Sequence, residues 1–258
     1  MAFFVFIVIY FSSLPWMKPI FTLATSAILG IALWEFYRIA KKNGYAPLSG
    51  LAIVGTIGYL YAIQLADEKV APAALADIVL LLVLALGFIY FFFFGDRPLE
   101  NLSVTYFGLV YLTLPLSMIL KINFDFGRTA LFFLILVTKL TDIGGYFIGK
   151  RWGRTQLAPY ISPNKTWEGA IGGFGVGVLT SLAFIPFLTL PPGAILLLGA
   201  VLAIASIFGD LTESLLKRDL GVKDSSRLPG VGGFLDLVDS LVFTTPLLYF
   251  YLKFVSPL

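Results

Sequence analysis

Six carboxylates and four basic side chains crowd the stretch from Gly209 to Ser240, GDLTESLLKRDLGVKDSSRLPGVGGFLDLVDS, in a chain otherwise suited to hydrocarbon. The acids are Asp210, Glu213, Asp219, Asp224, Asp236 and Asp239; the bases are Lys217, Arg218, Lys223 and Arg227. A carboxylate at mid-bilayer costs ~2.5–3.5 kcal/mol even on the lenient insertion scale, so acids there need partners or a task. Ion pairs are one answer: Asp142 has Lys139 three residues before it, and Glu213 has Lys217 four residues after it. Pairing leaves the surplus of acids unexplained, whereas a divalent cation accounts for it. Mg²⁺ takes oxygen ligands, keeps several waters and commonly joins one or two carboxylates to phosphates. The candidate ligands are Asp142, Asp210, Glu213, Asp236 and Asp239.

Two further stretches suit phosphate. Lys223 to Gly233, KDSSRLPGVGG, places glycines, Lys223 and Arg227 just before an apolar helix. Glycines let backbone N–H groups approach a ligand, and a helix start favours anions. Alone this would read as an ordinary glycine-rich loop; beside the acids it reads as a phosphate site. Lys150 to Trp167, KRWGRTQLAPYISPNKTW, mixes four basic residues with Trp152, Tyr160 and Trp167. Such residues also serve as plain interfacial anchors. Lys165 is the strongest phosphate candidate among them, because Thr166 and Glu168 beside it mark a helix start. The chain has no Cys and no His, so thiolate nucleophiles, cysteine zinc sites and imidazole acid/base chemistry are excluded.

The elements that position these residues are membrane helices. The 258 residues are 59% hydrophobic and 13% charged, with 25 Phe and a mean hydropathy of +0.93; soluble chains carry about 25% charged residues. The reading is all-α: a polytopic integral membrane protein, one transmembrane domain over 1–258, with residues 209–240 as its active segment. Apolar runs predict nine helices, at 2–16, 19–40, 48–65, 73–94, 102–120, 129–149, 168–190, 193–215 and 232–254. The first lacks a basic n-region and reads as a retained span. Pro186 predicts a kink in the seventh. Gly169, Gly173 and Gly177, four apart, predict close helix packing. Glu35 and Arg38 read as an interfacial pair, and Asp77 as lying at the opposite membrane surface from the acids. The net charge of +3 does not point to nucleic acid.

Lys and Arg divide twelve to five between alternate sides, with Lys139 inside a span. The richer side is taken as cytoplasmic. This puts the N-terminus inside and gathers Asp142, Asp210, Glu213, Asp236 and Asp239 near the cytoplasmic surface, Asp142 about 10 Å deep at 1.5 Å per residue. Asp210, Glu213 and Lys217 share one face of the eighth helix, and Asp236 and Asp239 one face of the ninth.

These residues resemble the phosphatidate cytidylyltransferases, also called CDP-diglyceride synthetases. The family's signature runs Ser-x-x-Lys-Arg, Lys-Asp, Pro-Gly-His-Gly-Gly, then Asp-Arg-x-Asp. Ser214, Lys217, Arg218, Lys223, Asp224, Pro229, Gly230, Gly232, Gly233, Asp236 and Asp239 match it. TDIGGYFIGKRWG, LAPYISPNKTWEG and the WEFYR of Trp34 to Arg38 are also similar to the family. Val231 stands in place of the usual His and Leu237 in place of the usual Arg; neither donates a hydrogen bond, so any phosphate contact there is absent or supplied differently, and activity altered from the family's is an expectation.

The resemblance implies an enzyme, a nucleotidyltransferase of phospholipid biosynthesis that makes CDP-diacylglycerol and pyrophosphate from CTP and phosphatidate with Mg²⁺. It implies catalytic roles for Asp210, Asp236, Asp239 and Lys217, and phosphate binding by Lys165, Lys217, Arg218, Lys223 and Arg227. The expected setting is a bacterial inner membrane with the site facing the cytoplasm and membrane lipids around it. The oligomeric state stays open, a homodimer being one option. A CTP-dependent lipid kinase and a cation transporter are the rival readings.

Overall fold

The structure, a computed structural model, describes residues 15–222 and 233–255. Lys223, Asp224, Arg227 and Val231 lie outside those residues, as does all but the end of the predicted span 2–16. After a 3-10 turn at Pro15–Met17, helices run Lys18–Lys42 (α1), Ser49–Asp67 (α2), Ala74–Phe94 (α3), Pro98–Gly108 (α4), Leu114–Trp152 (α5), Trp167–Ala183 (α6), Pro192–Asp219 (α7) and Phe234–Val255 (α8). A π-helical turn, Leu109–Thr113, makes Pro98–Trp152 one helical run. Counting that run once, 6 helices among the described residues are long and apolar enough to cross a membrane. The architecture is that of an all-α integral membrane protein.

Differences from the nine predicted helices have local causes. The segments 102–120 and 129–149 belong to one run, broken only at Gly127, whose φ of 82° and ψ of 174° leave helical space. Glycine reaches such a φ without a Cβ clash, so the break falls where a loop between two spans was expected. The helix predicted at 168–190 does not kink at Pro186; α6 stops at Ala183, three residues earlier. Proline removes an N–H and clashes with the carbonyl four residues back, and here that ends the helix. The stretch read as a loop from Lys150 to Trp167 contains the end of α5 and an antiparallel hairpin, Gln156–Ala158 (β1) with Ser162–Thr166 (β2).

The chain divides into two compact units, Met1–Asp125 with Leu220–Leu237, and Phe126–Asp219 with Val238–Leu258. In the first, α1 opens with Pro19 in its first turn, where a missing N–H costs nothing, and closes on Lys41 and Lys42, which complement the negative helix end. The Tyr37 hydroxyl donates to the Thr105 carbonyl at 2.7 Å, and the Asn101 Oδ1 accepts the Ala46 N–H at 2.7 Å. The Asn43 amide donates to the carbonyls of Ile39 at 3.1 Å and Leu220 at 2.7 Å, tying the end of α1 to the segment at Leu220. Glu35, expected in an interfacial pair with Arg38, is instead buried at 1% exposure, and its Oε2 accepts the Leu235 N–H at 2.9 Å. The Arg38 guanidinium lies over the Trp34 ring, 4.7 Å from its centre.

In the second unit the glycine stripe packs α6 on α5 as its spacing predicts. A Cβ on Gly169 would lie 2.8 Å from the Gly145 carbonyl oxygen, and one on Gly173 would lie 2.6 Å from that of Thr141. Phe133 meets Phe184 edge to face at 5.4 Å between ring centres. The hairpin is fastened to the start of α6. The Thr166 hydroxyl accepts the Gly169 N–H at 3.1 Å as an N-cap. The Glu168 carboxylate accepts the backbone N–H groups of Arg154, at 3.1 Å, and Thr155, at 3.2 Å.

Candidate active site

The second unit holds the polar cluster. On α7, Ser206, Asp210, Glu213 and Lys217 follow one another at helical spacing and share a face. Lys139 and Asp142 come from α5, and Asp239 and Ser240 from α8. The Asp142 Oδ1 accepts the Ser206 hydroxyl at 2.6 Å and its Oδ2 accepts the Ser240 hydroxyl at 2.9 Å. The Lys139 ammonium donates to the Ser240 Oγ at 2.8 Å and lies 3.4 Å from the Asp142 Oδ2 and 4.0 Å from the Asp239 Oδ1. The Asp239 Oδ1 accepts the Ser240 N–H at 2.5 Å. Asp210 lies within electrostatic reach of both Asp142 and Asp239 and pairs with the Lys165 ammonium at 2.7 Å. Three carboxyl groups thus meet two ammonium groups.

Gly209 makes this convergence possible. A Cβ there would lie 2.7 Å from the Asp239 carbonyl oxygen and 2.9 Å from the Ser240 Cα, so only glycine lets α7 and α8 touch beside Asp210 and Asp239. One turn further along α7, Lys217 pairs with Glu213 at 2.6 Å, and Glu213 is 1% exposed. The Lys139–Asp142 and Glu213–Lys217 pairs expected from spacing therefore both form. The Arg218 Nε donates to the Ile161 carbonyl at 3.1 Å in the β1–β2 turn, which anchors the hairpin carrying Lys165 to the end of α7.

The predicted residues thus separate. Asp142, Asp210, Asp239 and Lys165 come together; Glu213 and Lys217 pair with each other; Lys223 and Arg227 lie outside the described residues. Asp236 belongs to the first unit, where its Oδ2 accepts the Gly233 N–H at 2.8 Å. This is the reach-back half of a capping box, since Gly233 precedes α8 and Asp236 is its third residue. Ser206, Ser240 and Gly209 were not singled out from sequence. Their signal was positional: Ser206 lies one turn before Asp210, Ser240 follows Asp239, and Gly209 precedes Asp210.

Among the described residues no group of three acids is arranged to hold a metal by itself. The donor chemistry nonetheless fits a hard cation: carboxylate oxygens in excess of the lysines, with hydroxyls between them. Mg²⁺ needs only one or two carboxylates when waters and phosphates complete its shell.

An all-α membrane protein with a lysine-bridged acid cluster on three helices is the class that fold and site define. The sequence profile of the cytidylyltransferase family matches residues 1–255, and the chain belongs to that family. It is 32% identical to a phosphatidate cytidylyltransferase of Chlamydia pneumoniae over 273 aligned positions, covering 96% of this chain and 87% of that protein. The protein of the same name from Brucella suis is 36% identical, covering 92% of this chain and 86% of the relative. That of Thermotoga maritima is 33% identical, with 90% and 87% covered.

Proposed function

We propose that the protein transfers the cytidylyl group of CTP to phosphatidate, releasing pyrophosphate and leaving CDP-diacylglycerol in the membrane. Family membership and likeness over most of the chain to proteins named for this activity support the reaction. The observation that carries the site is the meeting of Asp142, Asp210 and Asp239 with Lys139 and Lys165. An oxygen of the lipid phosphate attacks the α-phosphorus of CTP, and the bond from that phosphorus to the β-phosphate oxygen breaks. No side-chain nucleophile is needed, which suits a chain without Cys or His.

The protein's work is to hold two anions together and to stabilise charge on the departing pyrophosphate. Lys165 gives up Asp210 to take a phosphate oxygen; the Asp210 side chain, 36% exposed, is the most open of the cluster's three acids. Lys139 stays with Asp142 and Ser240 and keeps the acids from repelling one another. Mg²⁺ would be held by Asp210 and Asp239, with Asp142 oriented behind them by its two serines, and would supply positive charge to the phosphates. The roles proposed for Asp236, Lys217, Arg218 and Lys223 rest on the signature, that of Glu213 on its helical spacing from Asp210, and that of Arg227 on the basic, glycine-rich stretch before α8. Nine crossings are proposed from the apolar runs, the charge asymmetry supports a site facing the cytoplasm, and the bacterial relatives support an inner membrane, where CTP is met from solution and phosphatidate from the inner leaflet. Surrounding lipids are the expected partners, with a homodimer as the assembly to test by mass in lipid nanodiscs.

Labelled CTP tests the reaction. In phosphatidate liposomes with Mg²⁺, label at the α-phosphate should appear in the lipid and label at the γ-phosphate in pyrophosphate. Label from the γ-phosphate in the lipid would instead mean a lipid kinase.

A further inference from the structure

The buried carboxylate of Glu35 is not used by the chemistry above, and its surroundings give it a task. It sits on α1 at 1% exposure and reaches a residue 200 positions later in the chain. Its Oε2 accepts the N–H of Leu235, the second residue of α8, at 2.9 Å. The Asp236 Oδ2 accepts the N–H of Gly233, the residue before the helix, at 2.8 Å. A helix start leaves four N–H groups without intrahelical partners. Two of those four are therefore taken by carboxylates, one local and one from α1. Leu235 itself is 3% exposed, so its N–H has little access to water if Glu35 is removed. A negative charge is also favoured at this end of a helix.

We propose that Glu35 is a positioning residue for the reaction: it clamps the first turn of α8 and thereby fixes the direction of the Asp236 carboxylate. A local cap alone leaves the turn free to fray, and fraying would turn Asp236 away from its bond to Gly233. This inference rests on the proposed function and on the signature role of Asp236. An ordinary structural bond would behave differently. Asn101, also buried, holds the Ala46 N–H at 2.7 Å in the same unit and serves as the comparison.

The test compares Glu35→Ala, Glu35→Gln, Glu35→Asp and Asn101→Ala in phosphatidate liposomes, with turnover normalised to folded protein. Misplacing a reacting group by about 1 Å can cost about a hundredfold. Glu35→Ala should lower kcat about tenfold or more while the KM for CTP stays within about twofold. Glu35→Gln, which keeps an oxygen for the Leu235 N–H, should recover most of kcat. Asn101→Ala should lower only the yield of folded protein. If Glu35→Ala does not fold, Glu35→Asp decides: one methylene too short to hold the N–H, it should show the same loss of kcat. Wild-type kcat in either Glu35→Ala or Glu35→Asp overturns the inference alone. A wild-type chain that makes no CDP-diacylglycerol overturns the proposed function and this inference with it.

Discussion

Lys165 carries the sharpest residue-scale prediction. Its ammonium is shut off from solvent and stands 2.7 Å from Asp210, on a hairpin that Arg218 ties to α7. Removing one preorganised charge partner of a transferring group typically costs about 10²–10³ in rate. Lys165→Met should therefore lower kcat by about that factor, read from initial rates of CDP-diacylglycerol formation, whereas a loss below about threefold would assign Lys165 to structure. At this scale the acids were legible in the sequence because a carboxylate inside a membrane is costly and conspicuous. Ser206 and Ser240 were not. Hydroxyls are common in membrane helices, where they often bond their own backbone, as Thr141 does to the Val137 carbonyl at 2.7 Å. Which serine meets Asp142 depends on how three helices are rotated, and spacing along one helix does not give that.

At the scale of elements, Gly209 and Gly175 make opposite predictions. Gly209→Ala forces α7 from α8 beside the acids, so folded yield and turnover should both fall. Gly175, on α6, has open space where a Cβ would go. Gly175→Ala should leave turnover intact and raise stability by ~0.4–1 kcal/mol through the unfolded chain, measured by denaturant unfolding in detergent. The hairpin offers a pH test. The N–H groups of Arg154, of Glu168 itself and of Thr155 hold the Glu168 carboxyl down to about 2, from an ordinary 4.5. A depressed folded value means that its contribution is fully present above about pH 4.5 and is lost as pH falls through about 2. Exchange protection of the Arg154 and Thr155 amides should therefore persist at pH 4, and Glu168→Gln should weaken it there. The hairpin itself was hidden in the sequence. Its strands are short and polar, SPNKT among them, and without alternating apolar residues they carry no strand pattern. The start of α6 was readable, because Thr166 is a capping residue type at the cap position and Glu168 an acid in the first turn.

For the whole molecule, charge asymmetry and helix length together support the proposed orientation in the membrane. The chain has no cysteine, so single introduced thiols report sidedness without background. Tyr160, 96% exposed in the β1–β2 turn, and Val70, 70% exposed between α2 and α3, lie on opposite predicted sides. Tyr160→Cys should react with an impermeant reagent only from the cytoplasmic side, and Val70→Cys only from the other. The helical class and most spans were legible because apolar runs of bilayer length are long signals. Where the run Pro98–Trp152 breaks was less so, since a single glycine, Gly127, does the work of a loop. Asp210 and Asp239 are proposed to serve phosphate chemistry within this cluster, a role tested by CDP-diacylglycerol formation from CTP by the wild-type protein, Asp210→Asn and Asp239→Asn in phosphatidate liposomes with Mg²⁺, each matched for folded protein. Product from the wild type and a loss of about a hundredfold or more in both variants is the predicted result; product at wild-type rates from either variant would contradict it.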